Sequence, residues 1–215
     1  MNFNKTKYAI LFIVALAILG TMSSNVDAKE YDWQKLNTTY DNFIETPSCI
    51  QKQNLLKVLP NENVEKTNNK VLDYIFANLS KLEDLAKRGD STAIDILFKM
   101  IYLTDGAYTE RLSIVLGSVI PNHPQEFLYA VKNNFQIINA PGVSSLVGNL
   151  GSEYVDEVEK RVLELEKRYN AIKEVDEAPD QIKNLCLYEL GRQIFESRRD
   201  IIYLNGNQKM LKKAN

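Results

Sequence analysis

One histidine is available to this 215-residue chain, His123, within the stretch GSVIPNHPQEFL at 117–128. An imidazole can act as a general base or hold a metal, and Glu126, three residues on, is a natural companion for either task. Zinc, however, ordinarily takes three or four protein ligands, and the sequence has neither a second histidine nor a CxxC pair to complete such a set. Pro121 and Pro124 bracket the histidine, and Pro124 suits the first turn of a helix, where its missing N–H costs no bond. The spacing therefore places His123 as a solvent-exposed residue in a turn between two helices, with neither a catalytic nor a metal-binding duty. No cofactor or metal site is expected elsewhere.

Other chemistries are equally thin. There is no G-x-S-x-G, and a Ser–His or Cys–His system would have to recruit His123 from its turn. GNLGSE at 148–153 lacks the lysine and preceding strand of a phosphate-binding loop, so it reads as a turn followed by a helix cap. Glu196-Ser197, in ESRRD, shares two residues with the catalytic glutamate setting of lytic transglycosylases. The Gly-Leu-Met-Gln signature of that family is missing, and a Glu–Arg pair on an exposed helical face is the expected role. A carboxylate pair drawn from distant helices, such as Asp95 with Glu110, is the remaining route to hydrolysis. Two sequon matches, NTT at 37–39 and NLS at 78–80, fall on expected helices and are read as chance in an Asn-rich chain.

Cys49 and Cys186 are the two cysteines, far apart in the chain. Their compartment decides their state, and the N-terminus speaks to it. Lys5 and Lys7 precede an apolar run from Tyr8 to Leu19, then a polar stretch ending Val26-Asp27-Ala28. That is the layout of a secretory signal peptide cut after Ala28, and the run is too short for the ~20 residues of a membrane span. An exported, periplasmic or extracellular protein is expected, without a membrane span in the mature chain, and in an oxidising compartment Cys49 and Cys186 would form a disulfide. Without residues 1–28 the charge is 24 basic against 27 acidic, a net −3, which gives no electrostatic reason to bind nucleic acid.

The elements that would position these residues are helices almost throughout. Apolar residues recur at helical spacing: Trp33, Leu36, Tyr40 and Phe43; then, after Pro47 in the first turn of a second short helix, a stripe from Val71 to Leu82. Lys87, Arg88 and Gly89 end that stripe in the manner of a helix C-terminus. Asp90 should cap the next helix, 91–103, which is apolar on nearly every side and so is expected at the centre of the fold. Asp105 is expected to cap the one after it. Glycine and proline number 9 and 6, too few for a turn-rich β architecture. An all-α fold follows, as a single domain over 29–205 with a frayed polar tail at 206–215.

Over about 71–133 the alternation of helix and turn resembles the helix pairs of HEAT and armadillo solenoids. No sequence repeat accompanies that likeness, so it implies an architecture of paired helices and no family. The stretch at 135–151, holding Pro141, Gly142, Gly148 and Gly151, is expected to contain only a short helix around Val143–Leu150. From about 152, Val155, Val158, Val162, Leu165, Tyr169 and Ile172 alternate by three and four as in a heptad seam. The DEAPD turn at 176–180 then suggests an antiparallel hairpin spanning about 152–200, in preference to a dimer. Residues 153–177 carry nine acids and five bases, and residues 180–215 four acids and seven bases, which favours their pairing. Gly191, inside the second of these helices, marks an expected close crossing.

With no catalytic constellation in view, the residues point first to an exported, non-enzymatic helical module that binds a protein partner or itself through helix faces, as a scaffold, inhibitor or immunity-type factor does. A cell-envelope hydrolase working through a buried carboxylate pair is the alternative.

Overall fold

In the computed structural model, the residues described are 31–214, and the expected signal segment at 1–28 lies outside them. From Asp32 onward the chain forms one unit, built among the described residues of α-helices and two short 3-10 turns, with no strand. The helices are α1 (Trp33–Glu45), α2 (Cys49–Val58), α3 (Asn69–Ala77), α4 (Ser80–Lys87), α5 (Ser91–Met100), α6 (Gly106–Val119), α7 (Pro124–Asn133), α8 (Phe135–Gly148), α9 (Val158–Lys173) and α10 (Asp180–Ala214). None is long and apolar enough to cross a membrane.

Several starts are local and simple. The side chains of Asp32, Ser48, Asn68 and Asp90 each accept a hydrogen bond from a backbone N–H three residues on, meeting a donor that the first helical turn leaves unpaired. Asp90 does so as expected and is also held by the ammonium of Lys52 on α2. Asp105 takes the cap position of α6 without a side-chain cap bond. Pro47 lies just outside α2, whose cap is Ser48.

The apolar helix at the centre is α5. Ala93, Ile94, Ile96, Leu97, Phe98 and Met100 are buried, because α2, α4, α6 and α7 close around it. A helix with apolar residues on nearly every side needs such an enclosure, since any exposed face would leave apolar area in water. In a solenoid each repeat touches only its neighbours. The contacts of α5 describe a compact helical domain, and by themselves they do not make a HEAT or armadillo stack.

The stripe from Val71 to Leu82 breaks into two helices at Asn78–Leu79, where one helix was expected. The reason lies 35 or more residues away. The buried hydroxyl of Tyr40 lies 3.1 Å from the carbonyl oxygens of both Ile75 and Asn78, and Arg111 on α6 donates to the carbonyl of Phe76 at 2.9 Å. Carbonyls released by the break thus find donors, which makes the break tolerable inside the fold. Asn78, expected on a helix, sits at that break.

A second departure runs the other way. Residues 135–148 form one helix through Pro141, although an interior proline costs ~3 kcal/mol. Ile138, Val143, Leu146 and Val147 are buried there, with α6 and α10 packed against the helix, and that burial outweighs the local preference. The expected hairpin is present: α9 and α10 form the most extensive helix pairing among the described residues. It begins later than expected, at Val158, because Ser152–Tyr154 form a 3-10 turn after Gly151 at φ 97°. Val155 is consequently exposed, while Val162, Leu165 and Ile172 are buried. The 206–215 segment was expected to fray; its backbone continues α10 to Ala214.

Candidate functional site

His123 occupies the N-cap position of α7 and makes no side-chain cap bond. It is half-buried, not exposed. A Cβ placed on Gly89 would lie 2.4 Å from His123 Nδ1, so the imidazole rests on the bare backbone of that glycine, whose φ is 81°. The turn after α4 and the start of α7 are thereby held together, a packing role that the sequence reading of a free linker residue missed. Among the described residues no group of three His, Cys, Asp or Glu side chains is placed to hold a metal.

Glu126 faces a different companion. Together with Ser91, Asp95, Gln125, Tyr129, Ala130 and Asn133 it lines a groove of ≈ 390 Å3 between α5 and α7. Glu110 is exposed on α6 and is not among the lining residues, so the carboxylate that shares a groove with Asp95 is Glu126. Burial raises the Asp95 carboxyl above its ordinary range, against the opposing influence of the Asn134 amide, 3.3 Å away, and of Lys99. Two carboxyl groups lining one groove are an arrangement suited to proton transfer or to binding a polyol. A larger groove, ≈ 570 Å3, runs between Pro121, Pro124 and the end of α9. It is the less chemical of the two: its charged residues are Lys167 and Glu174, and Lys167 is exposed and lies 3.8 Å from Glu164.

The cysteines are free, and the expected Cys49–Cys186 disulfide is absent from the structure. Cys49 is exposed at the start of α2, whereas Cys186 is buried in α10. Helix α2 packs on α1 and α5, while α10 packs on α7, α8 and α9, so the two thiols belong to different parts of the fold. Burial pushes the Cys186 thiol up to about 12, which keeps it protonated and inert at neutral pH.

The hairpin holds a charge that the sequence did not announce. Arg168 of α9 is buried, and its Nη1 donates to the carbonyls of Val147 at 2.9 Å and Asn149 at 3.1 Å, at the end of α8. A cation there complements the helix dipole and satisfies carbonyls the helix leaves unpaired. Desolvation lowers its pKa to about 10, so it stays charged at neutral pH. Gly117 makes room for it: a Cβ there would lie 2.5 Å from Arg168 Nη1 and 2.6 Å from the Leu146 carbonyl oxygen. Gly191, the expected crossing point, is open by comparison, with Tyr169 the nearest atom at 4.0 Å. The close approaches in this region are at Gly117 and at Gly148, over which the Gln193 side chain lies.

The remaining feature is a surface. Tyr188, Phe195 and Ile202 of α10 are 67 %, 68 % and 73 % exposed. Their seven-residue spacing aligns them on one face, opposite the buried Ile182, Cys186, Leu190 and Ile194. Glu196, the residue of the transglycosylase-like dipeptide, accepts from Arg192 at 2.8 Å one turn away, the expected surface pair. Arg161–Asp200, at 3.2 Å, and Arg198–Glu166 join α9 to α10. Comparison with protein families, with characterised proteins and with solved structures finds no match to this chain.

Proposed function

We propose that the chain is an exported, non-enzymatic helical module that docks a protein through the outward face of α10. The observation that carries this reading is the line of Tyr188, Phe195 and Ile202, each about two-thirds or more exposed on a helix whose opposite face is buried. Isolated exposed apolar residues are ordinary on a folded protein, but a row of large ones at helical register is the usual form of an uncovered interface. Export rests on the N-terminal layout up to Ala28 and predicts a mature protein beginning at Lys29.

Placing the photo-reactive residue benzoylphenylalanine at Phe195 in the producing cell tests the docking reading. A discrete cross-linked protein in the exported fraction is expected, lost when the reactive residue is moved to the exposed position Glu110 on α6. Equal cross-linking from both positions, or none from Phe195, removes the reading. N-terminal sequencing of the exported chain tests the address independently.

A second reading has one observation in its favour: Asp95 and Glu126 line the same groove, with Tyr129 beside them. A cell-envelope hydrolase would use such a pair as acid and base on a glycosidic bond. Release of soluble sugar from wall polysaccharide, abolished by both Asp95→Asn and Glu126→Gln while the variants stay folded, is its signature. Absence of release from the wild-type chain ends it.

A further inference from the structure

The outward face of α10 also carries information about what it receives, and we infer that its partner is an acidic amphipathic helix supplied by another protein; the inference rests on the docking reading above. At about 100° per residue, the Tyr188–Phe195–Ile202 stripe is flanked within about 60° by Arg192 and Arg199 on one side and Arg198 on the other. Glu189 and Glu196 lie further round the helix, beyond about 100° from the stripe. The apolar line is thus bordered by arginine on both sides.

In paired helices the residues beside the apolar seam choose the partner by charge. Arg199 is exposed and takes part in none of the ion pairs found among the described residues. Arg198 already binds Glu166 of α9 from one flank, and Arg192 forks between Glu189 and Glu196. On its inner side the helix thus already meets a carboxylate of α9 with the same residue type it presents on its outer side. A second column of apolar residues, which would let this face pair with its own kind, is missing: those positions are Arg192 and Arg199. Two copies packed stripe to stripe would gather Arg192, Arg198 and Arg199 of both around one seam, and that repulsion selects against self-association.

Fluorescence anisotropy with the full mature chain and two designed helical peptides tests the inference. Both peptides carry leucine at seven-residue spacing; one has glutamate at the flanking positions and the other lysine. The acidic peptide should bind roughly tenfold or more tightly than the basic one, and its affinity should fall as salt rises from about 0.05 to about 0.5 M. Phe195→Ser and Arg199→Glu should each weaken it by roughly tenfold, with unfolding temperatures unchanged because both side chains are exposed.

Equal affinity for the two peptides, or acidic-peptide binding that survives Phe195→Ser, overturns the inference. So does a wild-type dimer that Phe195→Ser dissociates. Binding to vesicles of anionic lipid through these same residues, with neither peptide bound, also overturns it. If cross-linking from Phe195 succeeds while the acidic peptide does not bind, only the partner's chemistry is wrong. If both fail, the docking face itself is wrong.

Discussion

Replacing glycine with alanine should have opposite consequences at two positions that the sequence alone makes look alike. Gly117 lies in α6 and Gly191 in α10, and within a helix the change is favourable by ~1 kcal/mol on propensity. At Gly191 the new methyl group would meet only Tyr169, at an ordinary 4.0 Å, so the gain should be kept. At Gly117 it would lie 2.6 Å from the Leu146 carbonyl oxygen, which is backbone and cannot swing aside, and 2.5 Å from Arg168 Nη1. Overpacking of this kind costs ~1–3 kcal/mol. Displacing the guanidinium adds roughly 1–3 kcal/mol for each of the two carbonyls of Val147 and Asn149 left without their donor. Set against the helix gain, Gly117→Ala should lose roughly 2–8 kcal/mol, and Gly191→Ala should gain up to about 1 kcal/mol. For a domain of this size that corresponds to a fall of roughly 4–30 °C and a rise of up to about 2–4 °C in Tm. Circular dichroism melts, with urea midpoints at unchanged slope, provide the assay. A double-mutant cycle sharpens it: in an Arg168→Met background the penalty of Gly117→Ala should shrink, because one of the two clashing groups has gone. Gly117→Ala that melts at or above the wild-type temperature, or a penalty untouched by Arg168→Met, would refute the account of Arg168 as the buried clamp between α6, α8 and α9.

Further outcomes follow from other contacts. Tyr40→Phe keeps the ring but removes the hydroxyl shared by Ile75 and Asn78; it should cost about 1–3 kcal/mol in urea unfolding and raise hydrogen exchange around residues 75–80. Because burial raises the Asp95 carboxyl, the fold favours its neutral form. That stabilisation is complete below the unfolded carboxylate value of ~3.9 and is lost as pH rises through the higher folded value. Asp95→Asn should therefore be more stable than wild type at pH 7, by under about 1 kcal/mol for a half-buried group that solvent still screens, with the difference vanishing by about pH 3. Native thiol titration with a maleimide should label Cys49 quickly and Cys186 only after denaturation, without a reductant; no second thiol in denaturant would restore the disulfide. Gly89→Ala should cost at least about 1–2 kcal/mol, since it forces a side chain into positive φ and against the His123 ring.

The amino-acid sequence by itself determined the all-helical class, the cap at Asp90, the enclosure of 91–103 and the closing hairpin. Each of these is written in periodicity or capping over a few turns, where the backbone's own needs and the apolar stripe agree. Only the tertiary structure decided where the 71–87 stripe breaks, because its donors are Tyr40 and Arg111, distant in the chain. It also decided that Pro141 stays inside a helix, that Asp95 shares its groove with Glu126 and not Glu110, and that Gly117 rather than Gly191 carries a close crossing. Arg168 shows the reason most plainly. Its spacing marks it as one more surface charge on a polar helix, but two carbonyls of another helix and the vacancy above a glycine of a third turn it inward. Burial of a charge depends on partners that local sequence cannot bring into view.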